Sequence, residues 1–596
     1  MERVADCVIR KINEAGCNHV FLISGRGILY LTDAVAKNNN ITPIHTYHEQ
    51  GAAYAAMAYS SASGGVSACL ISTGCAATNA VTACLCAYQD NLPLVFISGN
   101  NPLKENTRHT GERIRTYGSQ EADIISVVES ITKYAVMLED SDSAVYEIEK
   151  AIFIAQDGRK GPVWIDIPLD VQNMKIDESK VKHFVHDKEY NLSTEESVRN
   201  VVDGLNNANR PILLIGGGAR DAFIEIQRLV EGFKIPLVFS PAAADIYGSS
   251  HELSIGAIGS IGGTRAGNFA IQNSDYVLAV GTKLCSQLTG VKDNFARDAK
   301  IVVVDIDENE HRKIGVHIEH VIISDAVHFL RQLLQENLVV HNKSWIDKCV
   351  HWKSVFSIEN EAFINELKEK NQIDLYSLMN ELSPVLPNDA TIITDAGFEE
   401  LIVPSSIKYS NGQRCLFPAT QGAMGYAIPA IIGAYEAGRK NIICIVGDGS
   451  VMMNIQELQM ISALNIPMRI FVINNDMYAV IRRRQKDLFR TRTIGNDPSD
   501  GVPAPNFESI ARCFGFDFAK INNRTELIPL LSKLKNNNDD KKELIEVMCV
   551  SDQKYFHESY AINEKRKLVH RPIEDLSPFL PRKMIKDEMV IPMMEE

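Results

Sequence analysis

Residues 447–475 read GDGSVMMNIQELQMISALNIPMRIFVINN, and this stretch decides the predicted fold. An apolar run at 442–446 precedes it and a second one, 470–473, lies near its end, so each run predicts a buried strand. Strand, helix and strand make one right-handed crossover of a parallel sheet. Asp448 and Asn475 then lie at the carboxyl ends of neighbouring strands, the edge at which open α/β sheets bind ligands.

The segment between the two runs predicts a helix. Asn454 can cap its amino terminus, and Glu457 stands three residues later, at the capping-box position. Pro467 prevents the helix from continuing into the second strand.

The edge after the first strand carries groups suited to a diphosphate and a metal ion. Gly447 and Gly449 let the backbone approach a ligand closely, Asp448 offers a carboxylate, and Asn475 offers a carbonyl oxygen. Mg²⁺ that bridges a diphosphate takes oxygen ligands of this kind. The Gly447-Asp448-Gly449 segment alone is more often an ordinary turn, and Asn475 alone is more often an ordinary strand-end residue. Their combination at this spacing favours a ligand site.

The stretch resembles the thiamin diphosphate motif, GDG followed some two dozen residues later by NN, and its interior is similar to that of acetolactate synthases. The resemblance implies that Asp448, Asn475 and the main-chain carbonyl of Met477 bind the metal ion. The residues that it assigns to cofactor binding here are Gly447, Asp448, Gly449, Ser450, Asn475 and Met477.

The composition excludes several classes of protein. The net charge of −14 and the absence of any basic run longer than a triplet disfavour nucleic acid and anionic membrane as partners. No apolar run approaches the ~20 residues that span a bilayer. The 12 cysteines include no C-x-x-C pair, which favours buried thiols and a reducing, cytoplasmic location.

The length of 596 residues is too great for one core. The pattern predicts an α/β protein of three doubly wound parallel-sheet domains and a short arm. The resemblance implies that they are the pyrimidine-binding domain 1–178, the central domain 195–340, the diphosphate-binding domain 370–556 and the carboxyl-terminal arm 557–596. Predicted linkers cover 174–196, which is polar, and 342–371, which is helical. In the first two domains the predicted strands are 19–23, 66–71, 94–98, 163–167, 211–215, 236–239, 276–280 and 301–304.

Glu49 is the main catalytic candidate. It opens an alanine-rich helix, and a glutamate there either caps the helix in solvent or has a role in the interior. The sequence HEQGAA at 48–53 is the one that acetolactate synthases carry. The resemblance implies that this carboxyl group bonds the aminopyrimidine nitrogen of thiamin and drives the ring to its imino tautomer.

Other first-domain residues are assigned by the same resemblance. Thr73 and Asn79 belong to a segment, STGCAATN, that resembles the SGPGATN loop of the family, and Gln120 corresponds to its active-site glutamine, here without the preceding aromatic residue. Gly25 lies in a glycine-rich turn, Gly25-Arg26-Gly27, which is a weak phosphate-loop signal and more typical of a structural turn. The arginine-rich connection after residue 99 is either solvated or in contact with an anionic substrate.

The central and third domains complete the resemblance. After its first strand the central domain carries a triple glycine at 216–218, and some relatives bind FAD there, so FAD is a candidate cofactor. In the third domain TDAG resembles the TDxG motif of the family and QGAMGY its GxMGF motif, in which Met424 would hold the cofactor bent. The residues so assigned to cofactor binding are Asp395, Gly397, Gln421, Gly422 and Met424. Arg484 replaces a tryptophan that helps to choose the acceptor.

The implied function is a carboligase dependent on thiamin diphosphate and Mg²⁺. It would decarboxylate pyruvate, or another 2-oxo acid, and condense the two-carbon unit with a second carbonyl compound, as acetolactate synthases do. Alternatives are transfer to a nucleotide-linked keto sugar or another anionic carbonyl acceptor, pyruvate oxidation with FAD, and a non-catalytic paralogue. The family places each site between two subunits, which implies a homodimer or homotetramer.

Overall fold

The computed structural model describes residues 1–186, 193–313, 315–339, 342–536, 541–562 and 568–594. It contains three six-stranded sheets in which all neighbouring strands are parallel. The predicted class of three parallel-sheet α/β domains is therefore confirmed. Residues 187–192 of the predicted polar linker, and 563–567 and 595–596 of the predicted arm, lie outside the described residues.

The first domain packs apolar residues on both faces of its sheet. Its strands are β1 (Glu2–Arg3), β2 (His19–Leu22), β3 (Thr42–His45), β4 (Ser67–Ile71), β5 (Leu94–Asn100), β6 (Tyr134–Met137), β7 (Val163–Pro168) and β8 (Lys175–Ile176). Its helices are α1 (Val4–Glu14), α2 (Leu29–Lys37), α3 (Glu49–Ser63), α4 (Cys75–Asn79), α5 (Val81–Gln89), α6 (Thr107–Thr110), α7 (Ile124–Val128), α8 (Ala144–Gln156) and α9 (Leu169–Asn173). The sheet order is β3-β2-β4-β5-β7-β6, and β1 pairs with β8.

The central domain has the sheet order β11-β10-β9-β12-β13-β14. These strands are β9 (Pro211–Ile215), β10 (Leu237–Phe239), β11 (Ser254–Ala257), β12 (Tyr276–Val280), β13 (Lys300–Asp305) and β14 (His320–Ile323). The helices here and in the segment that follows are α10 (Glu195–Asn207), α11 (Phe223–Gln227), α12 (Arg265–Gln272), α13 (Ser286–Thr289), α14 (Ala326–Leu333), α15 (Lys343–Val355) and α16 (Ala362–Glu369).

The third domain has the strands β15 (Ala390–Ile393), β16 (Arg414–Leu416), β17 (Lys440–Gly447), β18 (Met468–Asn474), β19 (Asp517–Ile521) and β20 (Lys542–Met548), in the order β16-β15-β17-β18-β20-β19. Its helices are α17 (Leu375–Leu382), α18 (Glu399–Ser406), α19 (Ala427–Glu436), α20 (Asp448–Val451), α21 (Glu457–Ala463), α22 (Ala479–Phe489), α23 (Phe507–Phe514) and α24 (Arg524–Asn536). The hairpin β21 (Tyr560–Ile562) with β22 (Leu568–His570) and helix α25 (Arg582–Glu588) follow.

Each sheet has one switch point beside its first strand. The next strands of the chain are added on one side of that strand, and the later strands are added on its other side. The switch points lie between β2 and β4, between β9 and β12, and between β15 and β17. The first and third sheets share the same strand order relative to the chain. Because ligands of open α/β sheets bind at such points, the fold offers three candidate sites.

The first and third domains share one apolar core, because α3 lies against α19. Helix α3 buries residues 51–60 completely or nearly so, and half of them are alanines. The helices touch at Gly433, where a Cβ atom would lie 1.9 Å from the carbonyl oxygen of Ala55. The alanine-rich sequence of α3 is therefore explained by close helix packing.

The predicted helical linker and the arm pack on the central domain. Helix α15 buries Trp345 and Trp352 in the central core, which also contains Ile573 and Ile585 of the carboxyl-terminal segment. The indole N–H of Trp352 donates to Glu588 of α25 at 3.0 Å. Helix α15, which lies in the predicted linker 342–371, is thus part of the central core.

The sequence patterns found the four central strands of each of the first two sheets and, in the third sheet, β17 and β18. The edge strands β3, β6, β11 and β14 and the short strands β1 and β8 were not predicted, and neither were β15, β16, β19 and β20 of the third sheet. The edge strand β3 exposes three of its four residues and so carries no apolar run. Among the described helices, none is both long and apolar enough to cross a membrane.

The predicted capping of the helix after β17 is wrong. The helical path begins at Asp448 with α20, passes a 3-10 turn at Met452–Asn454, and resumes as α21. The Asn454 side chain is buried and donates to the carbonyl oxygen of Gly425 at 2.9 Å. The Glu457 carboxylate accepts hydrogen bonds from the first domain, so both side chains serve other segments.

We expect Gly433→Ala to lower the thermal unfolding temperature, because the added methyl group would collide with the backbone of α3. Overpacking of this kind costs roughly 1–3 kcal/mol. Gly232→Ala is the control, since a Cβ atom there meets nothing within 4 Å. Differential scanning calorimetry of both variants would contradict the predicted helix contact if they unfolded at the same temperature.

Candidate active site

One buried carboxylate organises the switch point of the third sheet. Asp395 follows β15, and its Oδ2 accepts hydrogen bonds from the Ser450 hydroxyl at 2.6 Å and from the backbone N–H groups of Gly425 and Ala427, each at 3.2 Å. These bonds join the loop after β15, the loop before α19 and the turn after β17. Burial raises the pKa of Asp395 above its ordinary value, although the hydrogen bonds oppose the shift.

The predicted metal ligands lie in the two turns that follow β17 and β18. Asp448 Oδ1 accepts the N–H of Gly449 at 2.6 Å, and its Oδ2 accepts the N–H groups of Asn475 at 3.2 Å and Asp476 at 2.8 Å. The Oδ1 of Asn475 accepts the N–H of Met477 at 3.2 Å. Burial raises the pKa of Asp448 to about 6 despite the backbone hydrogen bonds. The ends of β17 and β18 thus hold the three predicted ligands together.

Positive-φ glycines shape the neighbouring loops. Gly397 and Gly422 have φ angles of +84° and +53°, which residues with a side chain rarely adopt. Gln421 donates to the side chain of Gln89 in the first domain at 2.7 Å. Met424 is partly buried in the loop before α19. The structure therefore places these four predicted residues at the same edge as Asp448.

Two carboxyl groups at this edge, Glu399 and Glu400, were not predicted as site residues. A Cβ atom on Gly447 would lie 3.4 Å from Glu399 Oε1, and one on Gly422 would lie 2.1 Å from Glu400 Oε2. Burial raises the pKa of Glu399 to about 8 and that of Glu400 to about 7, and nearby carboxylates add to both shifts. The sequence contains a signal for both residues, because Glu399 and Glu400 follow the TDAG turn and begin helix α18.

Glu49 lies at the carboxyl edge of the first sheet. It is the first residue of α3, and the His48 ring accepts the N–H of Gln50 at 3.2 Å as the amino-terminal cap. The Glu49 carboxylate is partly exposed and accepts a hydrogen bond from the Asn79 amide at 2.9 Å. Two residues predicted from separate motifs, Glu49 and Asn79, are thus in direct contact.

A small cavity of about 20 Å³, room for about one water molecule, lies at the switch point of the first sheet. It is lined by Arg26, Gly27, Ser72, Thr73, Asn100, Asn101, Ser119, Gln120 and Leu169. Gln120 has a φ of +62°, and a Cβ atom on Gly74 would lie 2.0 Å from its carbonyl oxygen. Gly25 is equally constrained, because its Cβ atom would lie 2.5 Å from the Ser72 hydroxyl. Thr73 and Gln120 therefore line one cavity, which Gly25 helps to form.

Glu457 links the two candidate regions. Its carboxylate is buried and accepts the backbone N–H groups of Tyr47 and His48, both at 3.0 Å, directly before Glu49. A Cβ atom on Gly51 would lie 2.5 Å from Glu457 Oε1, which explains the glycine in the first turn of α3. Burial raises the pKa of Glu457 to about 7, although the hydrogen bonds lower it. The third domain thus fixes the start of the helix that carries Glu49.

Arg484 lies on α22 and is engaged by the carboxyl-terminal segment. Its guanidinium lies 3.6 Å from Glu558 and 4.8 Å from the centre of the Tyr560 ring. Arg483 also forms an ion pair with Glu558, which is buried. The predicted acceptor-side role of Arg484 stays a prediction, but its charge is partly neutralised within the protein.

The switch point of the central sheet is closed by protein contacts. A Cβ atom on Gly216 would lie 2.2 Å from the carbonyl oxygen of Gly281. The Lys283 ammonium donates to the backbone of the first domain at 2.7 Å, and Arg159 of that domain forms an ion pair with Asp307 at 2.8 Å. Residues at the ends of β12 and β13 thus bridge the crevice to the first domain.

Comparison with family models assigns all three domains. Residues 2–126 match the N-terminal TPP binding domain of thiamine pyrophosphate enzymes, 198–333 the central domain, and 395–547 the C-terminal TPP binding domain. The chain therefore belongs to the thiamine pyrophosphate enzymes. Each matched range falls within one predicted domain, while the predicted boundaries stay predictions.

Whole-length relatives are acetolactate synthases. The chain is 30% identical to the acetolactate synthase large subunit of Lactococcus lactis, with 91% of each chain covered. It is 28% identical to the isozyme 1 large subunit of Escherichia coli, covering 93% of this chain and 95% of that one, and 29% identical to the acetolactate synthase of Arthrospira platensis, covering 87% and 90%. The predicted resemblance and the dependence on thiamin diphosphate are confirmed.

We expect Glu457→Gln to flatten the pH dependence of stability. The pKa of Glu457 is about 7 in the folded protein and 4.5 in the unfolded chain, so the folded protein binds more protons between these pH values. The contribution of Glu457 to stability therefore falls as the pH rises from about 5 to 7. The loss amounts to roughly 3 kcal/mol at most. Glutamine keeps an oxygen for both backbone N–H groups and does not ionise.

The measurement is the unfolding temperature from pH 5 to 8. The unfolding temperature of the variant should decline less than that of the native chain, whereas the exposed control Glu508→Gln should follow the native chain. Parallel curves for Glu457→Gln and the native chain would refute the buried, protonated state of Glu457.

Proposed function

We propose that the chain is a thiamin diphosphate- and Mg²⁺-dependent carboligase that decarboxylates pyruvate and condenses the two-carbon unit with a second 2-oxo acid. The observation that carries the proposal is the pair of turns holding Asp448, Asn475 and Met477 at a sheet switch point. The names of the relatives, which are acetolactate synthases, support the choice of reaction.

The donor set at the end of β17 fits a magnesium diphosphate. Asp448 supplies carboxylate oxygens, Asn475 a side-chain carbonyl and Met477 a main-chain carbonyl, all of them oxygen ligands that Mg²⁺ prefers. Gly449 keeps the turn open, because a Cβ atom there would collide with the Tyr478 ring at 2.0 Å. When bound, thiamin diphosphate supplies the electron sink for decarboxylation of a 2-oxo acid.

Glu49 would hold a proton at the aminopyrimidine nitrogen of the cofactor. The Asn79 amide, 2.9 Å from the Glu49 carboxylate, orients that carboxylate. Glu457 fixes the backbone directly before it. Positioned acid–base groups of this kind contribute roughly 10²- to 10⁴-fold to a rate.

We place the active site between two copies of the chain. Within one chain the predicted residues form two groups, one around Glu49 and one around Asp448. Large apolar side chains next to each group are exposed: Tyr47 by 59% beside Glu49, and Met452 and Met453 by 43% and 48% after Asp448. A second copy that covers them would complete both groups, giving a homodimer or a tetramer of two such dimers.

The residues of the central crevice do not fit a flavin nucleotide. Lys283 and Asp307 lie where a nucleotide would approach the ends of β12 and β13, and both are committed to the first domain. The proposed reaction involves no net oxidation of the two-carbon unit. The proposal therefore contains no step through FAD, and the pyruvate oxidase alternative loses its support.

The partners of Arg484 hold it without neutralising it. Glu558 and the Tyr560 ring lie against its guanidinium, but Glu558 also pairs with Arg483, so one carboxylate offsets the two positive charges only in part. A second 2-oxo acid is the preferred acceptor because the relatives are acetolactate synthases, and a nucleotide-linked keto sugar stays the alternative.

All twelve cysteines are free thiols, which supports the proposed cytoplasmic location. Eight of them are buried, and the C-x-C pair at 84–86 lies within a helix core without a disulfide.

The reaction is tested by carbon NMR of ¹³C-labelled pyruvate incubated with purified protein, thiamin diphosphate and Mg²⁺. We expect carbon dioxide release and accumulating acetolactate. Glu49→Gln is the matched control: its amide oxygen can still accept from Asn79, so folding and cofactor binding should persist while turnover falls by orders of magnitude. If the native chain leaves pyruvate unchanged, the proposed reaction is wrong. If Glu49→Gln turns over normally, Glu49 does not have the proposed role.

The shared site is tested by mixing two inactive variants. Glu49→Gln and Asp448→Asn should each be inactive, the latter through loss of magnesium-dependent cofactor binding. In a mixed dimer one site receives an intact Glu49 from one chain and an intact Asp448 from the other. Random reassociation should restore about a quarter of the native activity. Mixtures that stay inactive, although heterodimers form, would place both residues of a site on one chain.

A further inference from the structure

Gln120 has a strained backbone at the carboxyl edge of the first sheet. Its φ angle is +62°, a left-handed conformation that favours glycine and that residues with a side chain rarely adopt. The residue is exposed, so burial of its side chain does not offset the strain. Such strain persists only where the surrounding contacts enforce it, and it concentrates at functional sites. The contacts of the neighbouring residues must therefore hold Gln120 in place.

The carbonyl oxygen of Gln120 lies against Gly74. A Cβ atom on Gly74 would lie 2.0 Å from that oxygen. Gly74 directly precedes α4, whose last residue, Asn79, donates to the Glu49 carboxylate at 2.9 Å. The turn that carries Gln120 therefore packs on the loop that orients Glu49.

Two asparagine side chains hold the turn on either side of Gln120. The Asn101 amide donates to the carbonyl oxygen of Ser119 at 2.8 Å, and the Asn100 amide donates to that of Ala122 at 3.3 Å. Both asparagines are buried at the end of β5. The carboxyl end of this strand thus fixes the backbone before and after the strained residue.

Asp166 of β7 sets the direction of the Asn100 amide. Its buried carboxylate accepts hydrogen bonds from the Ser98 hydroxyl at 2.6 Å and from the Asn100 amide at 2.7 Å. Burial raises the pKa of Asp166 to about 6, so the group is an ionised acceptor at neutral pH. Because an ionised carboxylate can only accept, the N–H₂ side of Asn100 must face Asp166. The Asn100 oxygen is then left for the backbone N–H of Asn101, which donates to it at 2.9 Å.

Glu121 holds the turn from the other flank. Its buried carboxylate accepts the Thr107 hydroxyl at 2.6 Å and the backbone N–H groups of Thr107 at 3.1 Å and Tyr117 at 3.3 Å. The cavity beside the turn has room for about one water molecule. The turn therefore has little space into which its backbone could relax.

Buried polar groups of two strands thus converge on one exposed and strained glutamine. A turn that only connects two elements could carry glycine at this position and would need no such support. We propose that Asp166, Asn100 and Asn101 are positioning residues, which hold Gln120 in its strained conformation so that its side chain contacts the substrate beside Glu49. The proposal rests on the carboligase function proposed above.

The first test measures the strain without turnover. Alanine is more stable than glycine at ordinary positions, because glycine loses more backbone freedom on folding, and this order reverses where φ is positive. Gln120→Gly should therefore unfold roughly 1–3 °C above Gln120→Ala in differential scanning calorimetry. Exposed Lys234, with a φ of +57°, is the matched control: its glycine and alanine variants should show the same order with native turnover. Equal temperatures for the two Gln120 variants, or a more stable alanine variant, would contradict the strained turn.

The second test asks whether the network acts through Gln120. With labelled pyruvate, Asn101→Ala should lower kcat/KM roughly 10-fold in the native chain, as for one lost hydrogen bond, but less than roughly twofold in a chain that already carries Gln120→Ala. Asp166→Asn should behave in the same way, because its amide group disturbs the direction of the Asn100 amide. Equal losses in both backgrounds would show a merely structural role and overturn the proposal.

Two controls accompany this cycle. Exposed Asn207→Ala, which also loses a hydrogen bond from a side chain to a backbone carbonyl, should keep the native kcat/KM. Thiamin diphosphate binding, measured by isothermal titration calorimetry, should match the native chain in all single variants, because none of them changes the turn at Asp448. If Asp166→Asn does not fold, Asn101→Ala alone decides the question.

The outcomes separate this inference from the function itself. If the native chain releases no carbon dioxide from pyruvate, the carboligase function is wrong and the role of Gln120 in it falls as well, while the unfolding temperatures still decide whether the turn is strained. If the native chain is active and Gln120→Ala keeps the native kcat/KM, the function stands and the inference about Gln120 is wrong.

Discussion

The packing of α3 against α19 is the contact on which the rest of the structure depends. It joins the first and third domains into one apolar core, and it tolerates no side chain at Gly433 because the backbone of Ala55 is 1.9 Å from the position of a Cβ atom. Glu457 then accepts the two N–H groups that precede Glu49. Glu49, the proposed catalytic residue, is therefore positioned by the domain that carries the proposed metal ligands, although its helix belongs to another domain.

A group of buried acids gives the third domain its chemical character. Asp395, Asp448, Glu399 and Glu400 all have pKa values raised by burial, and they lie around the loops after β15 and β17. Such a group is costly without a cation, because several carboxyl groups must either stay protonated or repel one another. A divalent ion would relieve this cost. The electrostatics thus favour the metal site that the sequence motif predicts.

The sequence predicted those parts of the fold that follow from continuous apolar runs and from glycine turns. The central strands of the first two sheets, the strands β17 and β18, the turn at Asp448 and the helix that begins at Glu49 were found in this way, whereas β15 and β20 were missed. Edge strands such as β3 were missed because their residues are exposed and carry no apolar run. Asn454 and Glu457 were misread because a local capping pattern gives no information on long-range partners: their side chains bond Gly425, Tyr47 and His48 instead.

The arrangement of positive charge shows why a site cannot be assigned from sequence alone. Arg484 and Arg26 both lie near predicted site residues, and the sequence analysis gave Arg484 the acceptor role while it interpreted Arg26 as part of a structural turn. In the structure Glu558 and the Tyr560 ring engage Arg484, whereas Arg26 is exposed at the edge of the first sheet. The close approach of Gly25 and Gly27 to Ser72 and Thr73 explains both glycines of the turn without assigning a role to the arginine between them. The partners of an arginine are distant in the sequence, so a local pattern does not show which arginine is engaged within the protein.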